Sequence, residues 1–356
     1  MKKKGINKVL KKVLSVALIA SLFLTGCGNG SAGGSTGSSA KSEKGTKESL
    51  ETVRVGVMTG IIEHYIAIVG QEKGIWEKNG IDLQVTEFAT GVEAVGAVQT
   101  EQIDVAEIMD FAIINRLGTT ADKTNLRIYN LNYESDTSDK DSIAVNKFYV
   151  NPKTVKDASD LKGKKISVAL GTVNEYFVAE GLAKAGLTVK DVTTVPADSI
   201  TANIAMAANG EIDGTWASGT TASKLVDDGW VALYNAIDLD LLTRDIGVTT
   251  DSFATTETLK KYVKARDEVV KYIEENEEDA VKIIADKSSL DQEVIRTTIE
   301  GNNLEPEFSN DTVDQLNKLK DWALKNGNLK KDFTLDNFID LTAVKDAVGD
   351  RVTYEK

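Results

Sequence analysis

The residues that could do chemistry in this chain are few, and they are of a binding rather than a reacting kind. The chain has one histidine, His64, flanked by Glu63 and Tyr65. A Glu-His neighbour pair lacks the oriented third group and the nucleophile that acid–base or covalent catalysis needs. His64 could equally cap a helix. The one cysteine, Cys27, lies far from the histidine in sequence. No group of His, Cys, Asp and Glu has the spacing of a metal site, so no metal or other cofactor is expected. What recurs instead is a mixture of carboxylates, aromatics, small hydroxyl residues and glycines. Carboxylates accept hydrogen bonds from N–H groups, and aromatic faces attract flat or cationic groups.

The elements that must position these residues begin after a separable N-terminus. Six lysines precede residue 13, and "VLSVALIASLFL" follows at 13–24. That apolar run is too short to span a bilayer, which takes about 20 residues, and with its basic head it reads as an export signal over 1–26. "LTGC", Leu24 to Cys27, resembles the bacterial lipobox, in which the cysteine becomes the lipidated N-terminus. Two acyl chains there would hold the protein at a membrane. Residues 28–47, "GNGSAGGSTGSSAKSEKGTK", are Gly/Ser-rich and read as a flexible tether with a reach of roughly 25 Å. The expected location is the outer face of the cell membrane, and the long tether suits a Gram-positive wall. Without the six leader lysines the net charge of −13 becomes −19. Such a surface repels nucleic acid and anionic lipid, so the lipid is the expected membrane contact. With no second cysteine there is no disulfide framework, and stability must come from a core.

The body from about residue 50 is too long for one core and should form two lobes. It contains a weak internal repeat. In the first copy "VRVGV" alternates as a strand, a helix-like run from about Tyr65 stops at Gly80, "IDLQVTEF" is a strand, Thr90-Gly91 opens a helix, and "IDVAEIM" is a third strand. In the second copy "KISVAL" is the strand, a helix from about Asn174 stops at Gly186, and "VTTVP" follows. A helix capped by Asp198 or Ser199 and the strand "IDGTWA" complete it. Strand–helix alternation implies parallel α/β sheets. Asp104 and Asp213 match between copies and read as turn formers. "RDIGVTT" at 244–250 reads as a returning strand, and amphipathic helices follow, with Leu259, Tyr262, Val263, Val269, Val270 and Ile273 on one face,. The expected first lobe is 50–140 plus 246–356, the second is 141–245, and two crossing strands make the hinge. Trp76 and Trp322 lie within amphipathic runs and read as packing.

In open α/β sheets, ligands bind beyond the C-terminal ends of the strands. That rule selects Glu63, His64, Tyr65, Thr90, Gly91, Asp110 and Phe111 in the first lobe, and Tyr133 and Glu134 before the first crossing. In the second lobe it selects Gly171, Thr172, Asn174, Glu175, Tyr176, Trp216 and Ser218, with Asp198 and Ser199. These loops hold Glu63, Asp110, Glu134 and Glu175 and no Arg or Lys, so an anion is disfavoured there. A nitrogen-bearing heteroaromatic or an organic amine suits them better.

With those residues in view, "HYIAIVGQEKGIWEKNGIDLQVTEF", then "GVEAV" and "QID", resembles the nitrate/sulfonate/taurine/thiamine-precursor family of solute-binding proteins. His64, Glu72, Lys73, Gly74 and Trp76 keep the family's spacing. "DLKGKKISVALGTVNEYFVAEGLAKAGLTVKDV" resembles the start of its second lobe, and "EENEEDAVKIIADKSSLDQEVI" its helical tail. The resemblance implies the type II periplasmic-binding-protein fold. It implies a monomeric, non-catalytic capture protein, with an ABC permease and its ATPase as partners. It implies a small solute such as a thiamine-precursor pyrimidine, with a sulfonate, taurine or nitrate as the alternative. One departure stands out: many members follow the second such strand with Trp-Asp-Pro, whereas this chain reads "GTWASGTTAS" at 214–223. The resemblance also reaches pyrimidine synthases on the same fold, but those carry a cysteine-rich stretch absent here. A ligand-free adhesin is the remaining alternative class.

Overall fold

The computed structural model describes residues 49–356, except 59–60, 121–122, 137 and 198–199. The export signal, Cys27, the tether, Asp198 and Ser199 therefore lie outside the described residues. Among the described residues no helix is long and apolar enough to cross a membrane.

Two mixed α/β sheets carry the body. The first repeat copy gives β1 (Glu51–Met58), α1 (Ile62–Glu72), α2 (Ile75–Lys78), β2 (Ile81–Phe88), α3 (Gly91–Gln99), β3 (Val105–Met109) and α4 (Asp110–Thr120). The second copy gives β6 (Lys165–Val168), α5 (Val173–Lys184), β7 (Thr193–Pro196), α6 (Ile200–Ala208), β8 (Gly214–Ala217) and α7 (Gly219–Asp227). In each copy the first strand lies between the other two and runs parallel to both, in the orders β2-β1-β3 and β7-β6-β8. The alternating Val53, Val55 and Val57 of β1 are all buried, as a strand covered on that face requires.

The equivalence reaches single hydrogen bonds. Asp104 accepts from the Arg54 backbone N–H at 2.9 Å, and Asp213 accepts from the Lys165 N–H at 2.9 Å. Each carboxylate ties the turn before a third strand to the start of the first. Gly80 and Gly186 end their helical segments with φ of 79° and 71°, a left-handed conformation that glycine adopts without a Cβ clash.

The chain leaves the first sheet along β4 (Leu126–Ser135), adds β5 (Lys147–Val150) and β9 (Val231–Asn235) to the second, and returns along β10 (Arg244–Thr250). β4 and β10 pair antiparallel from Arg244↔Glu134 to Thr250↔Leu126. After the short α8 (Asp251–Ala254), the tail adds α9 (Glu257–Glu275), α10 (Glu277–Ser288), α11 (Gln292–Glu300), β11 (Asn302–Asn303), α12 (Asn310–Lys325) and α13 (Thr342–Val348). β11 joins the edge of the first sheet beside β4. The expected stripe of α9 is buried throughout, and Tyr262 stacks on Trp76 with ring centroids 5.4 Å apart. The tail thus covers the first sheet.

One helix starts earlier than the sequence pattern suggests. α1 begins at Ile62, so Glu63 and His64 occupy its first turn rather than a loop. A carboxylate is favoured at that end by the helix dipole. Asp110 opens α4 directly from β3.

Candidate functional site

A narrow crevice with about 10 Å³ of free volume, room for little more than one water, lies where elements of both sheets meet. Asp110 comes to it from the β3–α4 junction, Val173 and Tyr176 from α5, and Asp240, Leu241, Leu242 and Arg244 from the returning segment. Gln315, Lys318 and Leu319 of α12 form a third wall.

Asp110 is the unusual group in that wall. It is only 5% exposed, and its Oδ1 is buried without a hydrogen-bond partner. Burial pushes its carboxyl up to about 7, against the pull of the Arg244 charge. At neutral pH the group is poised to accept from an N–H or, protonated, to donate. Arg244 is 4% exposed. Its Nε stands 3.2 Å from Glu134 Oε2 but is not aligned to donate to it, so the contact is an ion pair without a hydrogen bond. Lys318 pairs with Asp240. The aromatic surface comes from Tyr176, which meets Trp322 edge-on with centroids 4.9 Å apart. The same Trp322 meets Phe111 edge-on at 5.9 Å. A ring from α4, which follows β3 of the first sheet, and one from α5, which follows β6 of the second, thus converge on one indole.

A second polar cluster lies against the first sheet, away from that mouth. Glu63, Glu107 and Asp245 each present a carboxylate oxygen, all within 4.8 Å of one another. Three carboxylates at that spacing could in principle hold a metal, but the Arg266 guanidinium already supplies the positive charge. Its Nη2 is 2.5 Å from Glu63 Oε1 and its Nε is 3.7 Å from Glu107 Oε2. It also donates to the carbonyls of Leu304 and Asn132 at 3.0 and 2.9 Å. Burial opposes the Arg266 charge, yet the Glu63 and Glu107 carboxylates outweigh it and hold its pKa above the usual guanidinium range. Burial first, and then the Glu63 charge, push the Glu107 carboxyl up to about 8. Asp245 is likewise driven well above its ordinary value, by burial and then by Glu63 and Glu107. Tyr129 and Tyr262 donate to Glu107 Oε1 at 2.6 and 3.0 Å.

The structure brings together only part of the set selected from strand ends. Asp110 and Tyr176 wall the pocket, Phe111 stands behind it against Trp322, and Glu134 faces Arg244. Glu63 is instead the buried partner of Arg266. Tyr65 is core, and burial pushes its phenol up to about 12. Tyr133 is also buried. Trp216 stacks on Phe148 at 5.6 Å and meets Phe177 edge-on at 5.4 Å, which places it in the core of the second lobe. His64 is half-buried in the first turn of α1, with Nε2 3.7 Å from Glu87 Oε1.

Thr90 caps α3, accepting from Glu93 N at 3.4 Å. A Cβ on Gly91 would come within 3.1 Å of Ala112, so this glycine serves close helix packing. Thr172 caps α5, and Asn174 accepts from Ala169 N at 2.9 Å. Glu175 turns back to accept from Gly171 N at 2.9 Å, so this N–H is already taken by a carboxylate. Its other oxygen accepts from Asn328 at 2.7 Å. Ser218 stands at the N-terminus of α7 without a side-chain cap bond.

Reasoning from strand ends missed Arg244, Asp240 and the face of α12. The signal for the last was present as a stripe: Gln315, Lys318, Leu319 and Trp322 recur at i, i+3, i+4 and i+7,. The strand-end loops do lack Arg and Lys, but the pocket itself does not. A larger depression on the tail, lined by residues that include Asn317, Lys320, Asp332 and Phe333, has less to offer. Its Lys320 is engaged by Asp332 and by the Phe333 carbonyl, each at 3.0 Å.

Comparison with known proteins bears on this geometry. Residues 141–280 match the family model described as NMT1/THI5 like. A Brucella abortus protein named as a binding protein is 30% identical over 166 residues, 46% of this chain and 47% of its own. The match therefore spans about half the length of the curated relatives. Among solved structures, the alkanesulfonate-binding protein SsuA from Xanthomonas axonopodis pv. citri, bound to MOPS, superposes with a TM-score of 0.69 at 18% identity. That superposition covers 82% of this chain and 98% of SsuA. The desulfurization enzyme DSZB shares the fold too, with a TM-score of 0.64 at 13% identity over 84% of this chain and 99% of the enzyme. The fold therefore hosts both binding and catalysis. The described body has the α/β periplasmic-binding-protein fold, and its stretch 141–280 matches the NMT1/THI5-like family model.

Proposed function

We propose that the protein is the solute-binding component of an ABC importer, held outside the cell membrane by lipid on Cys27, and that it captures a small solute between its lobes. The observation that carries this reading is the buried Asp110 carboxyl with one unmatched oxygen, set where both sheets, the returning strand and α12 meet. The lobes are taken as 50–140 plus 246–356 and 141–245. An open form admits the solute, which favours closure to the extent that it binds the closed form better. The closed monomer then docks on the permease, with its ATPase behind. No cofactor takes part and no bond is made.

Asp110 beside the Tyr176 ring suits a ligand that offers N–H donors and a flat face, a nitrogen heteroaromatic or an organic amine. One observation favours a second reading: Arg244 lines the same pocket, and the Xanthomonas neighbour is described as binding alkanesulfonates. A sulfonate on Arg244, with a protonated Asp110 as donor, is that alternative. Calorimetry with aminopyrimidines, simple amines, taurine and alkanesulfonates separates the two. Binding of the nitrogen ligands, abolished in Asp110→Asn, is the expected result. Tight taurine binding that survives Asp110→Asn overturns the preference. Turnover of any bound compound by the purified protein overturns the capture role.

A further inference from the structure

The tail helix α12 does more than cover the first sheet. Its pocket stripe of Gln315, Lys318 and Leu319 continues one turn further to Trp322. The Trp322 indole is held between Phe111 of the first lobe, fully buried, and Tyr176 of the second. The same segment reaches the second lobe twice more, through the Lys318–Asp240 pair and the Asn328–Glu175 hydrogen bond at 2.7 Å. Aromatic pairs at these centroid distances attract beyond their buried area. Both partner rings are buried, so the half-buried indole cannot move further in between them. We infer that Trp322 sets the size limit of the site: the lobes close on a single ring or a short chain, whereas a fused bicyclic solute meets the indole and holds them apart. This rests on the capture reading above and deepens it, whichever head group the solute carries.

The test uses two probe pairs that differ by one fused ring. These are aminopyrimidine against aminoquinazoline, and benzenesulfonate against naphthalenesulfonate. Each is titrated into the full-length protein and its Trp322→Ala and Trp322→Phe variants. The wild type should prefer the smaller member of the pair it binds by at least about tenfold, a common size discrimination in a packed pocket. Trp322→Ala should bring that ratio to about one or reverse it, with Trp322→Phe in between. A ratio unchanged in Trp322→Ala, or a wild type that binds both members equally, overturns the inference.

If no probe of either head group binds, the solute class fails, and the gate is then read by small-angle scattering. Trp322→Ala should scatter as a more open particle than the wild type, and superimposable curves overturn the inference. Trp322→Phe, which keeps an aromatic contact, covers the case in which the alanine variant fails to fold.

Discussion

Replacing Asp110 by Asn should stabilise the protein, by an amount that depends on pH. The carboxyl is buried with one oxygen unmatched, and its pKa stands at about 7 against an ordinary 3.8. A folded value above the unfolded one means that the folded state holds the proton more tightly. The stability associated with that proton is fully present below pH 3.8 and is lost as pH rises through 7. At about 1.4 kcal/mol per pKa unit, a shift of roughly three units is worth about 4 kcal/mol. That value is a ceiling, because local relaxation and water relieve part of the burial penalty. Asn has nearly the same shape and cannot ionise. Urea unfolding of both proteins at intervals from pH 4 to 8 should show curves that start close together. They should then diverge with the variant on top, by about 2–4 kcal/mol at pH 8. If the difference stays within about 0.5 kcal/mol throughout, or the wild type is the more stable at pH 8, Asp110 is not the strained group described here.

Three further outcomes follow from other parts of the structure. Arg266→Met removes the guanidinium that holds Glu63 and leaves three buried carboxyls behind. Unfolding free energy should fall by about 3–5 kcal/mol, and a fall below about 1 kcal/mol would contradict the role assigned to the cluster. Gly247→Ala places a Cβ 2.5 Å from Tyr129 Cζ, against a ring pinned through its hydroxyl to Glu107. The expected loss is about 1–3 kcal/mol, read as a lower denaturant midpoint, and an unchanged midpoint would refute it. Thr256→Ala removes the cap that accepts from Leu259 N at 3.1 Å. It should lower stability by about 1 kcal/mol, measured the same way, and equality with the wild type would show that the cap is replaceable.

The elements were far more legible in the sequence than the site. Strand alternation, glycine stops and matched aspartates depend on neighbours within a few residues, and the two repeat copies agree down to the Asp104 and Asp213 hydrogen bonds. The returning strand occupies 244–250 as its sequence pattern indicates. A strand-end rule, however, selects loops and not side-chain directions. Glu63 turns to Arg266, 203 positions away, and no local pattern reports that pairing. Glu175 turns back onto its own loop. The strand-end rule selected Trp216 as a ligand residue, yet it fills the space between Phe148 and Phe177. Arg244 went unnoticed because it begins a strand rather than following one. The α12 stripe was read only as packing because Leu319 and Trp322 fit an ordinary apolar face, while Lys318, which is exposed, fits a solvated one. The charge argument from the loops was therefore incomplete: the pocket's Asp110 and Asp240 meet Arg244 and Lys318.

The placement of Arg244 and Asp245 explains how one strand serves both clusters. Successive side chains on a strand point to opposite faces. Arg244 lines the pocket and faces Glu134, whereas Asp245 accepts from Asn132 at 2.8 Å within the first sheet. The ladder between β4 and β10 continues past them to Ser135 N and the Thr243 carbonyl at 3.0 Å. The pair has register shifts at Asp245/Ile246 and Gly247/Val248, but the contacts of Arg244 and Asp245 on its two faces hold it up to that point. Opening of the lobes is then expected to fall beyond it, in residues 136–146 and 236–243. Hydrogen exchange on the full-length protein should show these two segments losing protection ahead of β4 and β10. Faster exchange within 126–135 or 244–250 would move the hinge into the strands and undo the argument that their buried charges stiffen them.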